Sequence, residues 1–461
     1  MPLTRREFSM LPVAAQALAQ PRRPNIVLIY CDDLGWGDLG CYGNRIIQTP
    51  NLDRLAARGT RFTDFHSTSP VCSPARAAVL TGHYPQRYGI HHADLPESLP
   101  RYGLPETCVT VAEALQRAGY ATAHIGKWHV GEPPNFPAPR RHGFEFFAGC
   151  FGGRPSSPWG RYARSMDPEV IVNEQRPVVF KGHVTEVQTQ AALDALNRST
   201  RGRPFFLNVC YNAPHEPLAP IEHQAKLYRD WSPEEQTYFQ TVTDMDAGVG
   251  RILAKLEDMG VAQDTLVLFS SDNGPEAHRF KYSRGSAGPL KGMKTQLWEG
   301  GVRVPGILAW PGRVPAGRVS NALASILDIF PTFTEVPAEV KLDGGVDLVA
   351  LANGRVPDRA LFFEFHAPQR GVEASLPMAA RRGKWKLFAT HSLDRVELYD
   401  LEADLGERDN VAARNPKVVA DLKAELAGWW SQFAAQVELP EKRTPVPIPP
   451  ESELEKRYYK N

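Results

Sequence analysis

The sequence contains no apolar run long enough to span a membrane, no internal repeat and no zinc-type spacing of cysteine and histidine. Its 53 Lys and Arg residues nearly balance 52 Asp and Glu residues, and the formal net charge of +1 offers no basis for nucleic-acid binding through bulk electrostatics. The six cysteines lack the dense spacing of a disulfide framework, although one or two bridges are compatible with them. These absences leave a globular chain of 461 residues, for which we expect one large domain and a smaller one.

The N-terminus resembles an export signal. Thr4-Arg5-Arg6-Glu7-Phe8 is similar to a twin-arginine motif, and Ala17-Leu18-Ala19 is similar to a small-residue cleavage site. The apolar region between them is short and interrupted by Pro12 and Gln16, so a disordered cytosolic leader is the alternative. We predict that residues 1–20 are an export signal and that the mature protein is periplasmic or secreted.

Strand-like and helix-like segments alternate over residues 25–335. This alternation predicts an α/β fold with a large, mostly parallel mixed sheet flanked by helices. From about residue 356 the pattern changes to short strands followed by an amphipathic helix, which predicts a smaller C-terminal antiparallel sheet plus helix. We therefore divide the chain into an α/β domain at 24–355, a C-terminal α+β subdomain at 356–437 and a Pro-rich, charged tail at 438–461.

Four predicted strands end in polar or charged side chains. Because ligands of such sheets bind beyond the carboxyl ends of the strands, these side chains are expected to meet at one edge. They are Asp32 and Asp33 after the first strand, Lys127 and His129 after the second, His215 after the third, and Asp272 and Asn273 after the fourth. The carboxylate and amide oxygens suit a hard cation, Ca²⁺ or Mg²⁺, rather than zinc. Taken singly, the Asp-Asp and Asp-Asn pairs also fit turns that end strands.

A short helix is predicted directly after Cys72. Ser73 is a favourable N-cap, Pro74 suits the first helical position, and Thr81-Gly82 ends the helix. Cys72 would then lie immediately before a helix N-terminus, where backbone N–H groups favour an anion, and Arg76 adds a positive charge one turn inside. The alternative is a buried cysteine before an ordinary helix.

Two long motifs resemble those of a known family. The run from Pro70-Val71-Cys72-Ser73-Pro74-Ala75-Arg76 to Gly82 fits a Cys-x-Pro-x-Arg signature, and the run from Gly119-Tyr120 to Lys127-Trp128-His129 fits a second one. Between about Pro24 and about Asp409 the chain resembles the type I sulfatases of the alkaline phosphatase superfamily, the group that contains arylsulfatases and N-acetylgalactosamine-6-sulfatase. The resemblance implies an alkaline phosphatase-like fold.

The resemblance also implies the site. Cys72 would be oxidised by a separate maturation enzyme to Cα-formylglycine. One divalent cation, usually Ca²⁺ although Mg²⁺ also fits, would be bound by Asp32, Asp33, Asp272 and Asn273 together with residue 72. The sulfate and residue 72 would be surrounded by Arg76, Lys127, His129, His215 and Lys294. Among these, His215 would protonate the leaving alcohol and His129 would support residue 72.

The chemistry implied for the formylglycine depends on its hydrate, which carries two hydroxyls on one carbon. One hydroxyl attacks sulfur and expels the alcohol, which leaves a sulfated enzyme. The other is then deprotonated, the aldehyde forms again and sulfate departs. A serine or an unmodified cysteine lacks the second hydroxyl and would stop after the first step.

The chain departs from the family pattern at two places. Relatives carry Gly-Lys-Gly before a Glu-Gly-Gly element, whereas this chain has Lys291-Gly292-Met293-Lys294; counting back from Glu299 selects Lys294, with Lys291 as the fallback. Ala148-Gly149-Cys150 offers no hydroxyl to a sulfate. Three basic residues beyond Asn273 are candidate substrate contacts, or simply solvated charges of a loop: His278, Arg279 and Lys281.

The leading hypothesis is a sulfuric ester hydrolase acting on a sulfated carbohydrate, with small aryl sulfates as the other substrate class. A phosphonate or phosphodiester hydrolase of the same superfamily is the second hypothesis. A non-catalytic, glycan-binding pseudosulfatase is the third, and the complete ligand set argues against it. The expected partners are the substrate and the maturation enzyme, without nucleic acid and without a transmembrane segment.

Overall fold

The computed structural model describes residues 23–92, 103–133, 136–152, 165–199, 202–276, 281–366 and 374–435. The predicted signal at 1–20 and tail at 438–461 lie outside the described residues. The strands are β1 Asn25–Cys31, β2 Thr60–Phe62, β3 Phe65–His66, β4 Ala121–Lys127, β5 Phe146–Cys150, β6 Glu169–Val172, β7 Val178–Val179, β8 Phe205–Cys210, β9 Thr265–Ser271, β10 Gly306–Ala309, β11 Arg318–Ser320, β12 Ala324–Ser325, β13 Ala360–Glu364, β14 Met378–Arg382, β15 Trp385–Ala389 and β16 Val396–Asp400. The helices are α1 Pro50–Arg58, α2 Cys72–Thr81, α3 Val111–Arg117, α4 Val184–Ser199, α5 Pro233–Asp258, α6 Glu299–Val302, α7 Ile329–Phe333, α8 Leu348–Ala352 and α9 Pro416–Trp430.

A ten-stranded sheet forms the centre of the protein, in the order β11-β2-β10-β9-β1-β8-β4-β5-β6-β7. The run from β9 to β5 is parallel, whereas β10, β6 and β7 join antiparallel. All seven residues of β1 are buried, as expected for a strand covered on both faces. The predicted α/β fold with a mostly parallel mixed sheet is therefore confirmed.

Alternate residues of β1 enter two different cores. Val27 and Ile29 pack with α1, α4 and α5 on one face of the sheet, whereas Ile26 and Leu28 pack with α2, α3, α7 and α8 on the other. Local sequence signals position several of these helices. Thr110 and Ser232 both form capping boxes, with Glu113 and Glu235 respectively. The two layers of helices leave the strand ends as the open edge of the sheet.

The C-terminal strands β13 to β16 form a separate antiparallel sheet, which confirms the predicted small sheet plus helix. Residues 378–389 form a hairpin that turns at Gly383, whose φ is +54°. Helix α9 covers one face through Leu422 and Leu426. The other face, including Phe363 and Phe388, packs against Val71 and Trp298 of the large domain.

A buried ion network joins the small sheet to α6. The Lys386 ammonium lies 2.8 Å from Glu299 Oε1 and 3.2 Å from Glu407 Oε1, and all three side chains are fully buried. The Glu299 backbone N–H donates to Glu407 Oε2 at 2.7 Å, and His66 Nε2 lies 3.1 Å from Glu299 Oε2. Burial raises the pKa of Glu407 to about 7, whereas Lys386 and His66 outweigh burial and hold the pKa of Glu299 well below its ordinary value.

We expect Lys386→Ala to lower the free energy of unfolding by about 3–5 kcal/mol, because Glu299 and Glu407 would face each other without the cation between them. Urea unfolding at neutral pH measures the change. Lys384→Ala is the matched control, since its ion pair with Asp400 is partly exposed and contributes about 0–1 kcal/mol. Equal losses in the two variants would contradict a special role for the buried network.

None of the helices in the described ranges combines the length and the apolar character that a membrane crossing requires.

Candidate active site

The four polar strand ends lie side by side. Strands β9, β1, β8 and β4 are consecutive neighbours in the parallel part of the sheet, so the residues that follow them share one edge. Asp272 follows β9, Asp32 follows β1, His215 lies in the loop after β8, and Lys127 ends β4. The topology thus brings the predicted groups together in the way that a parallel sheet requires.

The carboxylates converge on one point. Oxygens of Asp32 and Asp272 lie within 4.8 Å of each other and of Cys72 Sγ, and ligand atoms of Asp32, Asp33 and His215 lie equally close together. Asp33 adopts the left-handed conformation with φ +65°, and its N–H donates to Asp272 Oδ1 at 3.1 Å. Aspartate tolerates this conformation better than most residues. The turn therefore directs two adjacent carboxylates into the same site.

Each carboxylate is paired with a buried cation. Lys127 Nζ lies 2.7 Å from Asp32 Oδ2, and Lys294 Nζ lies 2.7 Å from Asp33 Oδ2. Arg76 donates to Asp272 Oδ2 through Nε at 3.0 Å and Nη2 at 2.7 Å, and a third hydrogen bond reaches the Lys127 carbonyl. These ion pairs fix the cationic groups around the carboxylates.

The titration of the cluster reflects its burial. Burial alone would raise the pKa of Asp32, but Lys127, His215 and the other cations together hold it well below its ordinary value. Burial and the Asp32 charge raise the pKa of Asp272 well above its ordinary value, despite the hydrogen bonds from Arg76. The Asp272 charge is therefore costly in this cluster, and a divalent cation bound beside it would favour the ionised carboxylate.

Two buried oxygens of the cluster lack a hydrogen-bond donor among the described residues, namely Asp32 Oδ1 and Asn273 Oδ1. The Asn273 amide nitrogen donates to Asp33 Oδ1 and to the Gly274 carbonyl, both at 2.8 Å, whereas the amide oxygen can only accept. Buried oxygens without donors are costly unless a ligand satisfies them. Together with Asp33 and Asp272, they form an oxygen-rich set that fits a hard divalent cation.

Cys72 is the first residue of α2, not the residue before it. Val71 is the N-cap and no side chain caps the helix, so the predicted N-cap role of Ser73 is wrong. Pro74 is accommodated inside the first turn, where backbone N–H groups have no intrahelical acceptor. The end is as predicted, with Gly82 at φ +68°.

The Cys72 thiol is buried and free of any disulfide. Burial raises the pKa of Cys72, and the nearby Lys127 and Lys294 offset this only in part. A cysteine with a raised pKa is a weak nucleophile at neutral pH, since the thiolate is the reactive form. The setting therefore does not favour chemistry by the unmodified thiol.

The two predicted histidines are held differently. His215 Nδ1 contacts the Glu216 carbonyl, and its Nε2 lies 3.6 Å from Asp33 Oδ2. Burial and Lys294 lower the pKa of His215. His129 follows β4 with φ +59°, and its backbone N–H donates to the Phe151 carbonyl at 2.9 Å. The support of residue 72 by His129 stays a prediction.

The two candidate lysines are separated by the structure. Lys294 contacts Asp33, whereas Lys291 lies 3.8 Å above the Trp298 ring and reaches the Glu407 carbonyl at 3.5 Å. Lys281 is exposed and lies over the Tyr282 ring, and His278 and Arg279 lie outside the described residues. In β5, the Cys150 thiol is buried and donates weakly to the Gly152 carbonyl.

Three residues that position the site carry no signal in the sequence. Ser67 Oγ donates to the Asp272 carbonyl at 2.6 Å, and Ser271 Oγ accepts from the Leu34 N–H and donates to the Asn273 carbonyl. Gln188 on α4 exchanges hydrogen bonds with Asn212, in the loop that carries His215. Lone serines and glutamines are too common to be singled out without the fold.

Comparisons of the sequence with known proteins identify the family. The Sulfatase family profile matches residues 24–336, and a profile described as N-sulphoglucosamine sulphohydrolase, C-terminal, matches residues 293–432. N-acetylgalactosamine-6-sulfatase of Homo sapiens is 37% identical over 373 residues, which cover 75% of this chain and 69% of that protein. Arylsulfatase A of Homo sapiens is 36% identical over 467 residues, which cover 90% of this chain and 89% of that protein.

Solved structures share the fold. The crystal structure of Ps i-CgsB in complex with k-i-k-neocarrahexaose aligns with a TM-score of 0.79 and 28% identity, covering 95% of this chain and 98% of that one. The family profile includes every residue of the carboxylate cluster, and the similarity to the human sulfatases extends over most of the chain. The chain therefore belongs to the sulfatase family and is a sulfuric ester hydrolase.

Proposed function

We propose that the protein hydrolyses sulfate esters of carbohydrates with a formylglycine made from Cys72 and one divalent cation, Ca²⁺ or else Mg²⁺. The observation that carries the proposal is the position of Cys72. Its Sγ lies within 4.8 Å of the Asp32 and Asp272 oxygens, and Cys72 is the first residue of a buried helix. Because burial raises its pKa, the unmodified Cys72 thiol is a weak nucleophile. A separate maturation enzyme would perform the oxidation.

The cation would be held by Asp32, Asp33, Asp272 and Asn273 together with residue 72. When bound, it would polarise the sulfate oxygens as a Lewis acid. The hydrated formylglycine would supply the attacking hydroxyl and a second hydroxyl through which sulfate is released. The cation would also satisfy the Asp32 and Asn273 oxygens that lack a hydrogen-bond donor among the described residues.

The chain's own residues then have separate tasks. Arg76, Lys127 and Lys294 present fixed positive charge to the non-bridging sulfate oxygens, where negative charge grows in the transition state. His215, whose Nδ1–H donates to the Glu216 carbonyl, presents Nε2 to the bridging oxygen. In its imidazolium form, which the charges of Asp32 and Asp33 favour, it donates the Nε2 proton to the departing alcohol. His129 supports residue 72.

The substrate class is inferred from relatives. One similar protein is named N-acetylgalactosamine-6-sulfatase, and one similar structure contains k-i-k-neocarrahexaose, so a sulfated carbohydrate is favoured. Arylsulfatase A is also similar, which keeps small aryl sulfates as an alternative. Rates on sulfated saccharides, aryl sulfates and phosphate diesters, measured in parallel with one preparation, rank these classes.

Mass analysis of the peptide that contains residue 72 tests the proposal. In protein produced together with a formylglycine-generating enzyme, we expect aldehyde at this position and turnover in proportion to the aldehyde fraction. Protein produced without that enzyme is the control and should keep the thiol and lack turnover. An unmodified thiol in fully active protein would overturn the proposed mechanism.

Lys294→Ala is expected to lower kcat/KM for a sulfate ester by about 10²-fold, because one fixed charge beside the sulfate is lost. Lys291→Ala is the matched control on the same loop. Its side chain rests on Trp298 rather than on the carboxylates, so its kcat/KM should stay within about threefold of the parent value. Equal losses in the two variants would contradict the assignment of Lys294.

His215→Ala is expected to lower the rate most for substrates with poor leaving groups. An alkyl alcohol needs a proton as it departs, whereas a nitrophenolate does not, so the variant should lose about 10²–10⁴-fold on alkyl sulfates and much less on nitrophenyl sulfate. Steady-state rates across a series of leaving groups measure the difference. A uniform loss across the series would exclude His215 as the general acid.

We further propose that residues 1–20 direct export, which would make the mature protein periplasmic or secreted. We also propose residues 24–355 as the catalytic domain and 356–437 as the subdomain built on the small sheet. N-terminal sequencing of the mature protein, secreted from a host with a twin-arginine pathway, tests the export signal.

A further inference from the structure

A second group of metal-binding side chains lies at one end of the small sheet. Strands β13 and β15 run in the same direction because β14 lies antiparallel between them. Glu364 ends β13, His366 follows it, and His391 lies in the turn after β15. Glu364 is fully buried, and the side chains of His366 and His391 are 5% and 22% exposed. None of the three belongs to the carboxylate cluster around Asp32.

The two imidazoles converge on one carboxylate oxygen. His366 Nδ1 lies 2.5 Å and His391 Nε2 lies 3.3 Å from Glu364 Oε1. One ligand atom from each residue falls within 4.8 Å of the others. The second carboxylate oxygen, Glu364 Oε2, is buried and has no hydrogen-bond donor among the described residues. A buried carboxylate oxygen without a hydrogen-bond donor is costly unless a ligand or an ion satisfies it.

Two more histidines surround the group. The His92 ring lies 4.8 Å and the His91 ring 6.1 Å from the His366 ring, and both residues are almost fully buried. Four imidazoles thus gather around one carboxylate. Imidazole nitrogens are common metal ligands.

We propose that Glu364, His366 and His391 bind a divalent transition metal of the Zn²⁺ type, at a site separate from that of the catalytic cation. Two imidazoles and a carboxylate are typical ligands of Zn²⁺ and related divalent transition metals, whereas Ca²⁺ and Mg²⁺ prefer oxygen ligands alone. Zinc bonds of about 2.0–2.2 Å in tetrahedral geometry place ligand atoms about 3.3–3.5 Å apart, which small side-chain rotations reach from the observed positions. The bound ion would tie the end of β13 to the turn after β15.

Zinc binding to the full-length protein tests this proposal. Ca²⁺ in excess keeps the catalytic site out of the measurement, and zinc is then titrated by calorimetry and counted by elemental analysis after desalting. We expect about one zinc per chain, and a weakening of at least about tenfold in His391→Ala, whose partly exposed side chain can be removed without a large cavity. His223→Ala, at a 71% exposed histidine, is the matched control and should bind zinc like the parent.

Cobalt supplies an independent readout. Co²⁺ bound by imidazole and carboxylate in four-coordinate geometry should absorb visible light, and the band should disappear in His391→Ala and in Glu364→Gln. Zinc should also raise the melting temperature of the parent and of His223→Ala, but not that of His391→Ala. Failure of the parent to retain zinc, or an unchanged zinc affinity in His391→Ala, would overturn the proposal whatever the folding of Glu364→Gln.

Discussion

Asp32→Ala is expected to lower kcat/KM for a sulfate ester by about 10³-fold or more. The change removes a proposed cation ligand and also the partner of Lys127, 2.7 Å away, so both the cation and a fixed positive charge lose their positions. Steady-state rates measured as a function of Ca²⁺ concentration test this. The parent should saturate at low Ca²⁺, and the variant should not recover at high Ca²⁺.

Loss of folding must be separated from loss of catalysis, because Asp32→Ala leaves Lys127 buried without a partner. Asp32→Asn keeps the shape of the side chain, and the melting temperature of each variant reports its folding. Asp230→Ala is the matched control at an 87% exposed aspartate and should leave kcat/KM unchanged. Near-parental activity in folded Asp32→Asn or Asp32→Ala would remove Asp32 from the cation site.

Cys72→Ser is expected to abolish steady-state turnover, with a loss of about 10⁴-fold or more. Under the proposed mechanism, a serine that stays unoxidised offers one hydroxyl, so the second hydroxyl needed for sulfate release is missing. Rapid-mixing experiments should detect at most one equivalent of alcohol per chain, and Cys72→Ala should release none.

Cys41→Ser provides the comparison for Cys72→Ser, since Cys41 is only partly buried and lies in the loop region after β1, outside the carboxylate cluster. Its turnover should match that of the parent. Multiple turnovers by Cys72→Ser at the parental rate would contradict the need for a second hydroxyl, and turnover by Cys72→Ala at that rate would show that residue 72 is not the nucleophile.

Much of the fold and site follows from local sequence signals. Asp32, His215 and Asp272 each follow a strand that the sequence marks clearly, and the topology of a parallel sheet places strand ends together. The capping boxes at Thr110 and Ser232 are local hydrogen-bonding patterns, so they could be predicted without tertiary structure. The pairing of Lys294 rather than Lys291 with Asp33 agrees with the spacing from Glu299.

Other features depend on tertiary contacts. Ser73 has the ideal chemistry of an N-cap, yet α2 begins at Cys72, because the position of the chain in the fold outweighs a local cap. The left-handed turn at Asp33 is fixed by its hydrogen bond to Asp272, far away in sequence. The grouping of Glu364 with His391 arises from two strands that are not sequence neighbours, and neither residue lies in a recognisable motif.

The contact between the small sheet and α6 has a consequence for modularity. Lys386 and Glu407 of the C-terminal region neutralise and cap Glu299, shortly after Lys294 in the chain, and Phe363 and Phe388 pack against Val71, the residue before Cys72. Producing residues 24–355 alone would remove Lys386 and Glu407 from the buried Glu299 carboxylate and expose the apolar surface around Val71, next to Cys72. We therefore expect the α/β region and the small C-terminal sheet to fold as one unit. A chimera that exchanges either part must keep Lys386, Glu407 and the aromatic face of the small sheet.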